Sequence, residues 1–149
     1  MGVRMIFYQM HERCDGSGYP RGITGDKIHP LAKIAAVADA YVALVSPRPH
    51  RPAMLPYHAI VKMLADVKAG LYDSKVVRAL LHTVSLFPIG SFVELNNSLV
   101  GKTIRANGDR YDRPILEVWN RTHLTAAPRL VDLAEQTDLK VVKPLTYLH

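Results

Sequence analysis

Two hydrophobic periods divide this chain. Up to about residue 87 the apolar positions recur at helical spacing. Leu31, Ile34, Val37, Ala38 and Tyr41 form one inward stripe, with Pro30 suited to the first turn of that helix. A second helix is predicted over Tyr57 to Ala69, with Ile60, Met63, Leu64 and Val67 inward and Gly70 as its stop. A third follows Asp73, a good N-cap, and carries Val76, Val77, Leu80 and Leu81. A short one covers Val3 to Glu12. After Phe87-Pro88 the period changes to two. SFVEL and LVGKTIRA flank Asn96-Asn97-Ser98, which reads as a hairpin turn, and PILEVWN, RLVDL and LKVVKPL supply further strands. Trp119 is expected to pack within that sheet. The pattern predicts a mainly α fold with a small antiparallel β extension: a helical part over 1–87, and a β-rich part over 88–149 packed on it.

Composition bounds the chemistry. The 149 residues are 48% hydrophobic, enough for a buried core, and the formal net charge of +6 favours anionic partners. The basic residues are scattered, and the strands lack alternating aromatic platforms, so a nucleic-acid surface is not indicated. The longest apolar stretch, Ile34 to Val45, is interrupted by Asp39 and too short to span a bilayer. No signal peptide is evident, so a cytoplasmic protein without membrane attachment is expected. The single cysteine, Cys14, reads as a spare loop thiol or a nucleophile, the loop thiol being the commoner case. His29, His58, His82, His123 and His149 have no metal-type spacing and are read as structural or surface residues.

The stretch HERCDGSGYP, residues 11–20, concentrates the chemistry. Its glycines permit positive φ and close approach to a ligand, and Tyr19 presents a phenol beside Pro20. Asp39 falls inside the predicted apolar stripe, where an unpaired carboxylate is costly. His11 and Asp39 together offer nitrogen and hard oxygen, suited to iron, manganese or zinc. A histidine at a helix end is more often a cap, and a mid-helix aspartate more often pairs with a base, here Lys33 or Arg48. Residue types and spacing leave a metal site, a phosphate site and a plain loop all open.

The longer string HERCDGSGYPRGITGDKIHPLAKIAAVADAYVALVSPRPHR resembles the second half of an HD-GYP domain, a branch of the HD-domain phosphohydrolases. That family shows HHExxDGxGYP, then GDxI, then (I/V)ADxYDAL, then an RPYR-like segment. The later FPIGSFVEL, NNSLVGKTIRAN and RPILEV resemble its strand extension, so the likeness runs from Gln9 to Leu145. It implies the C-terminal part of an HD-domain-like helical bundle followed by a short-strand subdomain. It also implies hydrolysis of cyclic di-GMP at a centre of iron or manganese. On this sequence His11 and Asp39 would be metal ligands, Tyr19 would lie near the nucleotide, and Arg48 and Arg51 would face its phosphates.

The departures carry as much weight. Met10 stands where the family has its first histidine, Val42 where it has the YDAL aspartate, and His50 in place of the RPYR tyrosine. No His-Asp dipeptide occurs. Two retained ligands do not make the roughly three per metal that a catalytic site needs. The resemblance therefore implies a truncated, degenerate domain, inactive alone and weak or lacking in metal. Cyclic di-GMP, a second copy, or a partner protein covering an exposed helix face would be its ligand. The alternative is part of an active phosphodiesterase completed by a chain carrying the His-Asp half.

Overall fold

The computed structural model describes residues 2–147. The element order is α1 (Val3–Gln9), α2 (Pro30–Val45), α3 (Pro56–Lys68), α4 (Ser74–Val84), β1 (Phe92–Leu95), β2 (Val100–Arg105), β3 (Ile115–Trp119), β4 (Arg129–Asp132) and β5 (Val141–Leu145). Two compact units result: Met1–Met54 with His58–Leu81, and Leu55–Tyr57 with His82–His149. One expectation is corrected here. The helices are not the C-terminal part of a bundle. They form a mainly helical N-terminal region, residues 3–84, and the strands of residues 92–145 form the C-terminal subdomain. The physical reason is the change of hydrophobic period near residue 88, which ends helix formation and leaves the later segments able to bury a face only as strands.

The helical unit is built on a small core. Val37 of α2, Met63 of α3 and Val77 of α4 meet, with Tyr41, Leu44, Val67, Tyr72 and Leu80 packed around them. His29 caps α2, its Nδ1 accepting from the Leu31 N–H at 3.2 Å, and Pro30 opens the first turn as predicted. Asp73 caps α4, accepting from the N–H groups of Lys75 at 2.9 Å and Val76 at 3.3 Å. Gly70 adopts φ +85 beyond the end of α3, a backbone conformation that glycine reaches without strain.

α1 ends at Gln9, so His11 and Glu12 lie beyond it rather than closing it. From there to His29 the chain is a loop organised by one buried carboxylate. Glu12 is 3% exposed and accepts from the N–H of Arg21 at 2.6 Å and of Ile23 at 3.1 Å. Gln9 holds the far end, its Oε1 accepting from the His29 N–H at 2.7 Å. Cys14 ties the middle to the helical core through Cys14 N–H to Leu71 C=O at 3.0 Å. A Cβ at Gly18 would collide with the backbone of His11, Glu12 and Arg13, so the loop closes this tightly only with glycine there.

The second unit is a five-stranded antiparallel sheet of order β4-β3-β2-β1-β5. All five predicted strand segments form. Its inner face buries Val93, Leu95, Leu116, Val118, Val131 and Leu133 against Phe87 and Leu139. Alternation holds along β3, where Leu116 and Val118 are buried and Trp119 is half-buried. The hairpin turn falls at Asn96-Asn97-Ser98 as predicted, with Ser98 at φ 66. Asn96 then pins the start of β5: its side chain donates to Asp138 C=O at 2.9 Å and accepts from Lys140 N–H at 3.0 Å.

Two outcomes are expected. Replacing Glu12 by Gln leaves one loop amide facing a donor, and should cost about 1–3 kcal/mol. Arg21 and Ile23 amide exchange should accelerate while amides of the sheet are unchanged; equal protection in the variant would exclude the loop role. For Asp73, burial raises the carboxyl pKa, but the Val76 and Lys75 amides and Lys33 together outweigh it and hold the group below its ordinary 3.8. The charge therefore adds stability above 3.8 that is lost as pH falls through the lower folded value. Asp73→Asn, which keeps a capping oxygen, should flatten the acid limb of a denaturation series for the helical unit. An unchanged limb would show that the charge contributes nothing.

Candidate functional site

The loop after α1 brings two of the sequence-predicted residues together. The rings of His11 and Tyr19 stack with centroids 5.0 Å apart and planes inclined by 13°. The backbone explains the pairing, since Tyr19 N–H donates to His11 C=O at 3.2 Å. The Tyr19-Pro20 peptide is cis. Tyr19 is 62% exposed, so its outer face and phenol are open to a ligand. Asp15 shapes the neighbouring turn. Its carboxylate accepts from Ser17 N–H at 2.9 Å, and hydrogen bonding from Ser17 lowers its pKa.

Asp39 is placed differently from the sequence expectation. α2 buries Ala32, Ala36 and Val37. Leu31, Ile34, Ala38, Asp39 and Val42 are turned outward and exposed. The supposed stripe thus spans two faces, because small alanines supply the closest-packed positions and the larger side chains lie on the other side. Asp39 carries no burial cost here. Its carboxylate has no partner among the described residues, and Lys33 pairs instead with Asp73 at 3.4 Å.

The two arginines separate in role. Arg48 and Arg51 bond to each other's backbone at 2.8 and 3.1 Å, closing a turn over Pro49-His50. The Arg51 guanidinium then folds back on the C-terminal end of α2. It donates to Ala43 C=O at 2.6 Å and, more weakly, to Leu44 C=O at 3.5 Å. This is a helix cap, favourable at the negative end of the helix dipole. Arg48 is exposed, and its guanidinium has no partner among the described residues.

Sequence reasoning missed Glu12 as the organiser of the loop. The signal was available in an acidic residue immediately before a glycine-rich turn, whose amides need an acceptor. Cys14 lies beside a small cavity of about 10 Å³ lined with Glu12, Lys33, Tyr72 and Asp73. Burial, its largest influence, raises the Cys14 pKa and keeps it a thiol, the weaker nucleophile.

A metal centre is not assembled by the described residues. Among the described residues no group of three or more His, Cys, Asp or Glu side chains gathers that could hold a metal ion. Met10 offers only a thioether and Val42 no donor at all. The residues present therefore do not fit an iron or manganese centre of the kind the resemblance implies. No helix among the described residues is long and apolar enough to cross a membrane. His149 lies outside the described residues.

Comparison with known proteins places this geometry. A family model described as HD domain matches residues 2–76. The cyclic di-GMP phosphodiesterase PA4108 of Pseudomonas aeruginosa is 35% identical over 132 residues, covering 86% of this chain and 31% of the relative. The cyclic di-GMP phosphodiesterase response regulator RpfG of Xanthomonas campestris is 43% identical over 77 residues, covering 52% and 20%. The 3'3'-cGAMP-specific phosphodiesterase 1 of Vibrio cholerae is 44% identical over 66 residues, covering 44% and 15%. The chain thus spans about a third or less of the length of these relatives. The match corrects the expectation that the chain carries the C-terminal half of an HD-GYP domain. The matched region is the N-terminal half of this chain, it is described as an HD domain, and it ends within α4, ahead of the strands. With half of its residues matched by that model, the chain belongs to the HD-domain family, in the part of it related to cyclic di-GMP phosphodiesterases.

Proposed function

We propose that this chain is a degenerate HD-domain segment that binds a cyclic dinucleotide or a protein partner and does not by itself hydrolyse phosphodiesters. One observation carries the reading: the family relation comes without any three-ligand metal set among the described residues. Metal-assisted hydrolysis needs an ion that polarises the phosphate and lowers the pKa of bound water. His11 and Asp39 alone leave such an ion too few protein ligands for useful affinity. Binding asks less. The open face of Tyr19 suits a base, and the Arg48 guanidinium, without a partner among the described residues, suits a phosphate. The relatives named above act on cyclic di-GMP or on 3'3'-cGAMP, which makes the cyclic dinucleotide the class to test.

A second reading rests on the outward face of α2. Leu31, Ile34 and Val42 are each at least half exposed around Asp39. A second copy or a chain bearing further metal ligands would bury that face and add donors beside Asp39. Met10 and Val42 would still weaken the resulting centre.

Two outcomes test these readings. The purified chain with manganese should show no linear, protein-dependent release of pGpG or GMP from cyclic di-GMP. Turnover in proportion to protein would overturn the first reading. Titration calorimetry with cyclic di-GMP and 3'3'-cGAMP should show saturable heat. Arg48→Ala should weaken binding about tenfold at unchanged thermal stability, the scale of a lost charge-assisted hydrogen bond. Arg51→Ala should instead lower stability by about 1 kcal/mol, the scale of a lost helix cap. If Arg51→Ala abolishes binding in a fully stable protein, the division of roles between the two arginines is wrong.

A further inference from the structure

The strand unit contains a cleft of about 310 Å³ that lies outside the candidate site. Tyr57, Leu86, Phe87 and Val141 form its apolar wall, and Asp112, Arg113 and Lys140 its charged rim. The Tyr57 and Phe87 rings stack at 5.5 Å and 13°, which stiffens that wall. The same two rings also line a smaller apolar pit of about 40 Å³, together with Phe92 and Leu145.

Both rim cations are held in place. Arg113 Nη1 donates to Leu133 C=O at 3.0 Å and to Leu139 C=O at 3.2 Å. Its Nε and Nη2 have no partner among the described residues. Lys140 is fixed through its backbone, because Asn96 accepts from its N–H and donates to its C=O, both at 3.0 Å. Its ammonium group is unpartnered among the described residues. A pre-ordered guanidinium loses little entropy on taking an oxyanion. The cleft is at the small end of ligand pockets, which suits a small molecule and not a polymer.

We propose that this cleft binds a small organic oxyanion, a phosphate or carboxylate carried on a compact apolar or planar body. The oxyanion sits at Arg113 and Lys140, and the body lies against Tyr57, Phe87 and Val141. Asp112 opposes the charge and moderates affinity. The assignment does not rest on cyclic dinucleotide binding, since it uses none of the residues of that site.

The test is an amide-resolved NMR titration of the whole chain with phenyl phosphate and with benzoate. Phenol and inorganic phosphate serve as the separate halves. Saturable shifts of the Arg113, Lys140 and Val141 amides are expected with at least one whole probe, and weaker ones with either half. Tighter binding of phenyl phosphate marks a phosphate ester as the ligand, and tighter binding of benzoate a carboxylate. Arg113 braces two strand-unit carbonyls, so the variants avoid it. Lys140→Glu should weaken binding about tenfold, and Asp112→Asn should tighten it about twofold. Loss of fold would move both variants the same way. Shifts that never saturate, or the two variants acting in the same direction, overturn the proposal.

Discussion

The N-terminal part of the site depends on one carboxylate. Glu12 is removed from water and satisfied by two backbone amides, Arg21 and Ile23, that lie nine and eleven residues further on. Without an acceptor those amides would have to be hydrated, and the loop would open to let water in. With it, the chain from His11 to Ile23 turns back on itself. The His11–Tyr19 stack follows from that closure, because the tight return brings Tyr19 N–H onto His11 C=O. Gly18 makes the return possible, since any side chain there meets backbone.

The second constraint is the division of α2 into two faces. Its inward face uses Ala32, Ala36 and Val37, and of these Val37 meets Met63 of α3 and Val77 of α4. Its outward face keeps Leu31, Ile34 and Val42 beside a charged Asp39. A helix that is apolar nearly all round is buried in most folds. In the second reading proposed above, this exposed set is the surface that a partner would cover. Arg51 caps the end of this helix, while the Arg48 guanidinium has no partner among the described residues.

The strand unit stands on its own core, with the inner faces of four strands closing over Phe87 and Leu139. Its surface ion pairs, such as Glu94 with Arg121 at 3.1 Å and Lys143 at 3.7 Å, are exposed and add little to stability. The hydrogen bonds that matter there run from side chains to backbone, Asn96 to the start of β5 and Arg113 to Leu133 and Leu139. They join segments distant in sequence, and the same bonds hold the cations at the cleft.

The sequence by itself determined the elements. The change of period near residue 88, the cap at Asp73, Pro30, Gly70 and the Asn96–Ser98 turn are local signals, and each appears in the structure where it was read. It also determined what the metal site lacks, because Met10 and Val42 supply no hard donor whatever their position. Tertiary structure decided the rest. Which face of α2 is inward turned on where Val37 meets Met63 of α3 and Val77 of α4, a property of three segments together. Whether Asp39 is buried, whether Arg51 meets a phosphate or a helix end, and what Glu12 holds likewise depend on residues seven or more positions apart. Periodicity describes one segment at a time. It cannot say which of two apolar faces finds a partner, or which carbonyl a guanidinium will reach.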